Sequence, residues 1–261
     1  MRVACIQLSS GENYNRNYKQ IISYILQAIK NKADLIITPE TTSLITSDKK
    51  ILINNSYKMN KDPLIKEVRK ISKKKRKWIL IGSLPIKDKN KLRNRSIMIG
   101  PKGNIVTYYD KISMFDVKLQ NREQHKESKT YRPGNKLVTV GLPWGKLGLT
   151  ICYDIRFPEI YRNLSKKNLN FISVPSAFTK ITGKKHWLTL LQARAIENFC
   201  YIFAPNQTGK NTNKRETFGH SVIISPDGKI LKLKKYGTGN IYADIEPNLS
   251  MKLRKIIPSL N

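Results

Sequence analysis

Short apolar runs alternate along the chain with amphipathic stretches of helical period, and this order predicts most of the fold. "RVACIQL" (2–8) predicts a β-strand, and after a polar turn apolar positions recur at helical spacing through "YKQIISYILQAIKNK" (18–32). "ADLIITPE" (33–40) predicts a short strand ending in Pro39 and Glu40. "PLIKEVRKISKKK" (63–75) predicts a second helix that feeds the strand "WILIGSLPI" (78–86), and 93–111 a hairpin turning at "GPKGN". Residues 116–136 show no regular pattern and predict a long surface loop of the kind that frames a site.

Beyond that loop the order repeats: "LGLTIC" into a helix over "YDIRFPEIYRNLSKK", then "LNFISVPSAF" (169–178), then a helix over 186–199. Strands at 200–207 and 219–233 follow, the latter turning tightly at "PDG". The second half echoes the first, which predicts a layered α/β architecture with both parallel and antiparallel pairing. No linker or shift of composition breaks the pattern, so residues 1–261 are expected to form a single domain.

Composition changes this picture little. A hydrophobic fraction of 39% is compatible with a packed globule. No apolar run approaches the roughly 20 residues that span a bilayer, and "MRVACIQLSS" lacks a charged leader followed by an apolar stretch, which predicts a cytoplasmic protein away from membranes. The 3 cysteines, Cys5, Cys152 and Cys200, are widely spaced and form no C-x-x-C pair, so neither a disulfide framework nor a metal site is indicated. The formal charge of +31 raises a competing class, a basic nucleic-acid-binding protein. The cations are scattered over nearly every predicted loop and helix face, however, alongside abundant Asn and Ile that share A/T-rich codons with Lys. The densest run, "SKKKRKW" (72–78), falls where a helix C-terminus favours cations. No nucleic-acid partner is therefore expected.

Three reactive residues close apolar strands, and strand ends are where open α/β folds place function. Each has an ordinary alternative: Glu40 as a capping carboxylate, Lys111 as an exposed cation, Cys152 as core filler. Together they make a set that chemistry can use. Glu40 can take the thiol proton if burial raises its pKa. Lys111 and the backbone N–H of Tyr153 can stabilise charge developing on a substrate oxygen, and a helix starting after Cys152 would favour the thiolate. A Cys–His hydrolase using His125, His186 or His220 stays open on spacing alone, so the residues by themselves point to a cysteine hydrolase of unspecified base.

Several ordered motifs sharpen this. "GLTICYDIRFPEIYR", "PSAFTKITGKKHW", "ARAIEN" and "GHSVIISPDG" closely resemble the nitrilase superfamily of carbon–nitrogen hydrolases, and similar segments run from "VACIQL" to "RKIIPSL". Within it the chain is similar to the Nit branch, which contains deaminated glutathione amidase and ω-amidase. The resemblance implies a four-layer αββα sandwich and a Glu-Lys-Cys triad of Glu40 ("TPE"), Lys111 ("YYDK") and Cys152 ("TICYD"), with a second carboxylate, Glu127 in "KESKTYRPG", positioning Lys111 and the substrate amide. Glu123 nearby lacks that context. It further implies hydrolysis of a small linear amide through an acyl-thioester, with ammonia leaving and no cofactor, and a homodimer formed through helices beside the nucleophile turn. "VPSAFTKITG", "RAIENFCYIFAPNQTG" and "KRETFGHS" look more like the deaminated glutathione amidase side, with α-ketoglutaramate and N-carbamoyl amino acids as alternatives.

Three further residues are candidates for the substrate pocket. Arg156 is placed either to hold a substrate carboxylate or to pair with Glu159 or Asp154, and Phe178 and Thr179 sit at a strand end that should face the same pocket. Arg194 and Glu197, three apart on one helix, are expected to form a structural ion pair. The chain departs from the family pattern at Ser113 and Met114, where His and Leu are usual, at "SPDG" in place of D-P-W-G, and in ending without the basic tail often seen.

Overall fold

The computed structural model describes residues 1–118, 124–213 and 215–260. Glu123 lies outside them. In chain order the first half carries β1 (Arg2–Gln7), α1 (Tyr14–Lys30), β2 (Leu35–Ile37), α2 (Lys49–Asn54), α3 (Pro63–Lys75), β3 (Trp78–Asp88), β4 (Lys91–Ile99) and β5 (Ile105–Asp110). Then come β6 (Asp116–Lys118), β7 (Gln124–Lys126), β8 (Val138–Leu142), β9 (Gly145–Leu149), α4 (Pro158–Ser165), β10 (Phe171–Ser173) and α5 (Lys180–Asn198). The chain continues with β11 (Tyr201–Ala204), β12 (Thr208–Thr212), β13 (Arg215–Phe218), β14 (Ser221–Ile224), β15 (Ile230–Lys234), β16 (Gly239–Asp244) and α6 (Leu249–Ile256).

The strands form two six-stranded sheets, ordered β16-β1-β2-β3-β4-β5 and β15-β14-β11-β10-β9-β8. Each has a parallel centre, β1-β2-β3 in one and β9-β10-β11 in the other, with antiparallel strands on both flanks. The period of two along β1 divides its side chains between two cores. Ala4 and Ile6 pack with Ile21, Ile25, Leu64 and Val68 of α1 and α3. Val3 and Cys5 join Leu147, Leu149, Ile172 and Ile202 of the second sheet, in a cluster that runs on to Trp187, Leu191 and Ala195 of α5. The two sheets thus lie face to face between helical layers, the αββα sandwich.

Local signals explain the helix ends. Asn13 caps α1 by accepting the Arg16 N–H at 3.0 Å, so the helix starts four residues before the apolar periodicity does. Ile21 and Ile25 are fully covered on its inner face, each contributing about 1.5–3 kcal/mol relative to exposure. α3 has the predicted bounds: Asp62 accepts the Ile65 N–H, Pro63 occupies the first turn, three lysines fill the last, and Arg76 closes it in the left-handed region.

Elsewhere the structure corrects the expected elements. α5 begins at Lys180, six residues early, and Gly183 in this added stretch lets Phe218 pack where a side chain would stand. The loop at 116–136 contains the short ladder β6–β7, and β12–β13 forms a hairpin that the sequence pattern does not reveal. The strand before Cys152 ends at Leu149, and a 3-10 turn over Cys152–Arg156, not an α-helix, follows the thiol.

Candidate active site

Glu40 stands in a turn past the end of β2. Thr41 after it has φ 50° and is held by the Ser83 hydroxyl at 2.8 Å, while the Thr38 hydroxyl accepts the Gly82 N–H at 2.9 Å. The β3–β4 register shifts at this point, and a Cβ on Gly82 would overlap the Thr38 and Pro39 carbonyls and the Pro175 ring. Pro39 belongs to the first sheet's strand-end turn and Pro175 to the second's, so Gly82 marks where the two turns close on each other.

Lys111 follows β5, and its ammonium lies between two carboxylates, 2.8 Å from Glu40 Oε1 and 2.9 Å from Glu127 Oε2. Glu127 opens a 3-10 turn after β7 and also accepts the Phe115 N–H at 2.8 Å. The Asn94 amide donates to Glu40 and Glu127, both at 2.9 Å, and the Ala177 N–H donates to Glu40 Oε2 at 2.9 Å. Glu40 is thereby fixed by groups from both sheets. Gly134, whose N–H donates to the Lys111 carbonyl at 2.7 Å, runs so close to Asp110 that a Cβ would overlap its carbonyl.

Cys152 has φ 46°, a left-handed conformation that non-glycine residues seldom adopt and that clusters at functional turns. Its N–H donates to the Pro175 carbonyl at 3.0 Å, and Glu40, which lines the same cavity, is near enough for its charge to act on the thiol. The fully buried Asp154 carboxyl pins the turn, accepting the Ile151 and Ser113 N–H groups at 2.9 Å and the Tyr109 hydroxyl at 2.7 Å. Ser113 serves through its backbone, so the unusual side chain there leaves this link intact. Arg194 holds the turn from α5, donating twice to the Ile155 carbonyl while pairing with Glu197 at 2.8 Å. That is the structural ion pair expected.

The electrostatics correct two expectations. Burial does push the Glu40 carboxyl up, but the Lys111 ammonium and its hydrogen bond, helped by the Arg215 charge, hold it below its ordinary value. Glu40 rests ionised. Burial, reinforced by the Glu40 charge, lifts the Cys152 thiol well above its ordinary value, so no thiolate is preformed and the single 3-10 turn does not compensate. Burial opposes the Lys111 charge, yet Glu127 and Glu40 hold its pKa well above the usual.

These groups line a cavity of about 350 Å³. Phe178 and Thr179 line it as expected, with the Phe178 ring also packed at a tilt against Trp187. Tyr153 lines it too, its ring edge-on to Phe115. Arg156 stands behind the wall: its guanidinium lies 5.9 Å from the Tyr153 ring and 5.4 Å from the Phe178 ring, both of which line the cavity, and 3.3 Å from His186 Nδ1. His220 Nδ1 meets the Phe218 carbonyl at 2.9 Å, and His125 on β7 lines the cavity beside Phe115. The carboxylate whose charge acts on the thiol is that of Glu40. Sequence reasoning missed Asn94, the Ala177 N–H, Tyr131 and Arg215, all at the cavity. Among the described residues no group of three or more His, Cys, Asp or Glu is arranged to hold a metal ion.

An αββα sandwich with a cysteine, a glutamate and a lysine converging from three strand ends defines the carbon–nitrogen hydrolase class. The carbon-nitrogen hydrolase family profile matches residues 2–255, and the chain belongs to that family, whose members hydrolyse C–N bonds. Among its relatives, deaminated glutathione amidase of Yersinia enterocolitica is 36% identical over 262 residues, covering 99% of this chain and 91% of the relative. The human deaminated glutathione amidase is 31% identical, covering 98% and 80%. The crystal structure of the C. elegans NitFhit protein matches with TM-score 0.91 and 30% identity, over 98% of this chain and 63% of that one. Saccharomyces cerevisiae Nit3, a member of branch 10 of the nitrilase superfamily, matches with TM-score 0.88 and 26% identity, covering 99% and 94%.

Proposed function

We propose that the protein is a cysteine-dependent amidase acting on a small linear amide, deaminated glutathione for preference. One observation carries the mechanism: the ammonium of Lys111 is clamped between Glu40 and Glu127, and Glu40 shares the cavity wall with Cys152. Glu40 takes the thiol proton as sulfur bonds to the amide carbon, which avoids a free thiolate in a site that opposes one. The resulting oxyanion is stabilised by Lys111 and the Tyr153 N–H. Glu40 passes its proton to the amide nitrogen and the C–N bond breaks, leaving an acyl-thioester. Water then gives a proton to Glu40 and adds to the acyl carbon. The C–S bond breaks, the thiol is reprotonated and the carboxylic acid departs. Glu127 positions Lys111 and Asn94. Ammonia is the amine released from a primary amide; from deaminated glutathione, whose amides are secondary, it is the amino group of the released peptide fragment.

The substrate preference is supported by the names of full-length relatives at 31–36% identity. The test is amine release from deaminated glutathione, α-ketoglutaramate and N-carbamoyl amino acids by wild type and Cys152→Ala. Wild type is expected to prefer deaminated glutathione, and the variant to lose at least about 10³-fold in kcat. A Cys152→Ala protein that retained turnover would overturn the mechanism, and a clear preference for another amide would reassign the substrate.

We further infer one catalytic domain over residues 1–261, supported by a core shared between the two sheets and by the span of the family match. A cytoplasmic location is supported by three buried free cysteines, one of them the proposed nucleophile, which suit a reducing compartment. No helix among the described residues is long and apolar enough to cross a membrane. A homodimer is supported by Phe157, Ile181 and Ile196, which stand exposed around α4 and α5. Sedimentation at micromolar concentration tests it.

A further inference from the structure

Arg215 is the cavity's unexplained cation. It opens β13, whose hairpin is joined to the strand end carrying the site: Thr217 bridges Thr179, and the Phe218 N–H donates to the Phe178 carbonyl at 2.9 Å. Alternation along β13 sends Glu216 outward to pair with Lys180 and leaves Arg215 lining the cavity. One guanidinium nitrogen donates to the Ala177 carbonyl at 3.0 Å, and the N–H of that same residue donates to Glu40. Nε is buried with no hydrogen-bond partner, and no carboxylate among the described residues pairs with Arg215. Leaving such a donor unsatisfied costs about 1–3 kcal/mol, which a ligand acceptor would recover.

The charge of the site favours an anion at that place. Glu40 and Glu127 exceed Lys111 by one negative charge, so a negatively charged substrate entering without a further cation would be repelled. Lys49 and Lys126 also line the cavity, but both stand in solvent.

We propose that Arg215 binds the carboxylate carried on the acyl part of the substrate and is the residue by which the site tells an anionic acyl group from a neutral one. This rests on the amidase reading above and deepens it. The guanidinium fork suits a planar carboxylate and sits beside the Glu40 anchor, so holding the far carboxylate registers the amide carbon against Cys152.

The test compares wild type, Arg215→Ala and Arg215→Lys on α-ketoglutaramate and on neutral pentanamide. Losing a desolvated charge partner predicts that the ratio of kcat/KM, anionic over neutral, falls about 30-fold or more in Arg215→Ala, through KM for the anionic amide, with Arg215→Lys intermediate. A second measurement needs no turnover: α-ketoglutarate should protect Cys152 from iodoacetamide in wild type and fail to do so in Arg215→Ala at the same concentration. Alkylation of the unprotected variant at an unaltered rate shows that its site is folded. An unchanged ratio, or protection that persists in Arg215→Ala, overturns the proposal. Loss of all turnover in wild type would instead count against the amidase reading, and the protection experiment would still decide the role of Arg215.

Discussion

Cys152 is poised as a thiol and not as a thiolate, and this has a measurable signature. Its inactivation by iodoacetamide should climb steadily through pH 9 with no plateau at the ordinary thiol value of 9.0, because burial and the Glu40 charge both hold the proton on sulfur. Replacing Glu40 by Gln removes that neighbouring charge, so the inflection should move down in pH relative to wild type even as amide turnover is lost. An inflection near 9 in the wild-type profile would contradict the burial argument. Asn94 offers a second prediction at this scale. It is the common donor to Glu40 and Glu127, and Asn94→Ala leaves two carboxylate oxygens short of a partner, about 1–3 kcal/mol of lost order around Lys111. A fall of kcat by roughly 10-fold or more is expected, measured with saturating amide. Glu40, Lys111 and Cys152 were legible as strand-end residues, and Glu127 through its motif. Asn94 and Arg215 were not, because an Asn inside a β-hairpin and an Arg in a chain of 49 Lys and Arg carry no contrast against their background.

The elements that pass unrecognised in the sequence are those whose stability comes from outside themselves. β12 and β13 pair with each other, β13 also with the Phe178–Thr179 segment and β12 with the Leu8 carbonyl, without apolar alternation, and α2 has no buried residue at all, being nucleated by the Asp48 cap. α3, by contrast, carries its cap, its proline and its buried stripe in its own sequence, and its bounds are predicted correctly. β3 is a strand whose tip does more than pair. Gly82 there lets the Glu40 turn and the Pro175 turn approach, so Gly82→Ala forces backbone apart where no flexible side chain can yield. A loss of about 1–3 kcal/mol in urea denaturation is expected, together with a fall in kcat. Retention of full activity would show that the turns tolerate the separation.

At the scale of the whole molecule, the +31 charge is spread around a site in which Glu40 and Glu127 are matched by Lys111 and Arg215. A cationic exterior raises the local concentration of anionic substrates, an effect screened within about 10 Å at 0.1 M salt. For α-ketoglutaramate, kcat/KM is therefore expected to fall several-fold between about 20 and 500 mM salt, while that of pentanamide changes little. Parallel salt profiles for the two amides would remove any steering role for the charge. The layered architecture was readable from the repeated strand-helix order, whereas the face-to-face docking of the sheets, on which the cavity depends, was not a property of any segment. Glu40 and Lys111 come from the first sheet and Cys152 and Ala177 from the second, which sets a condition on when the chemistry exists. A chain still emerging from the ribosome, or one with its sheets parted, holds only an ordinary cysteine with no base beside it. The reactive centre is therefore a property of the docked pair of sheets and of neither one alone.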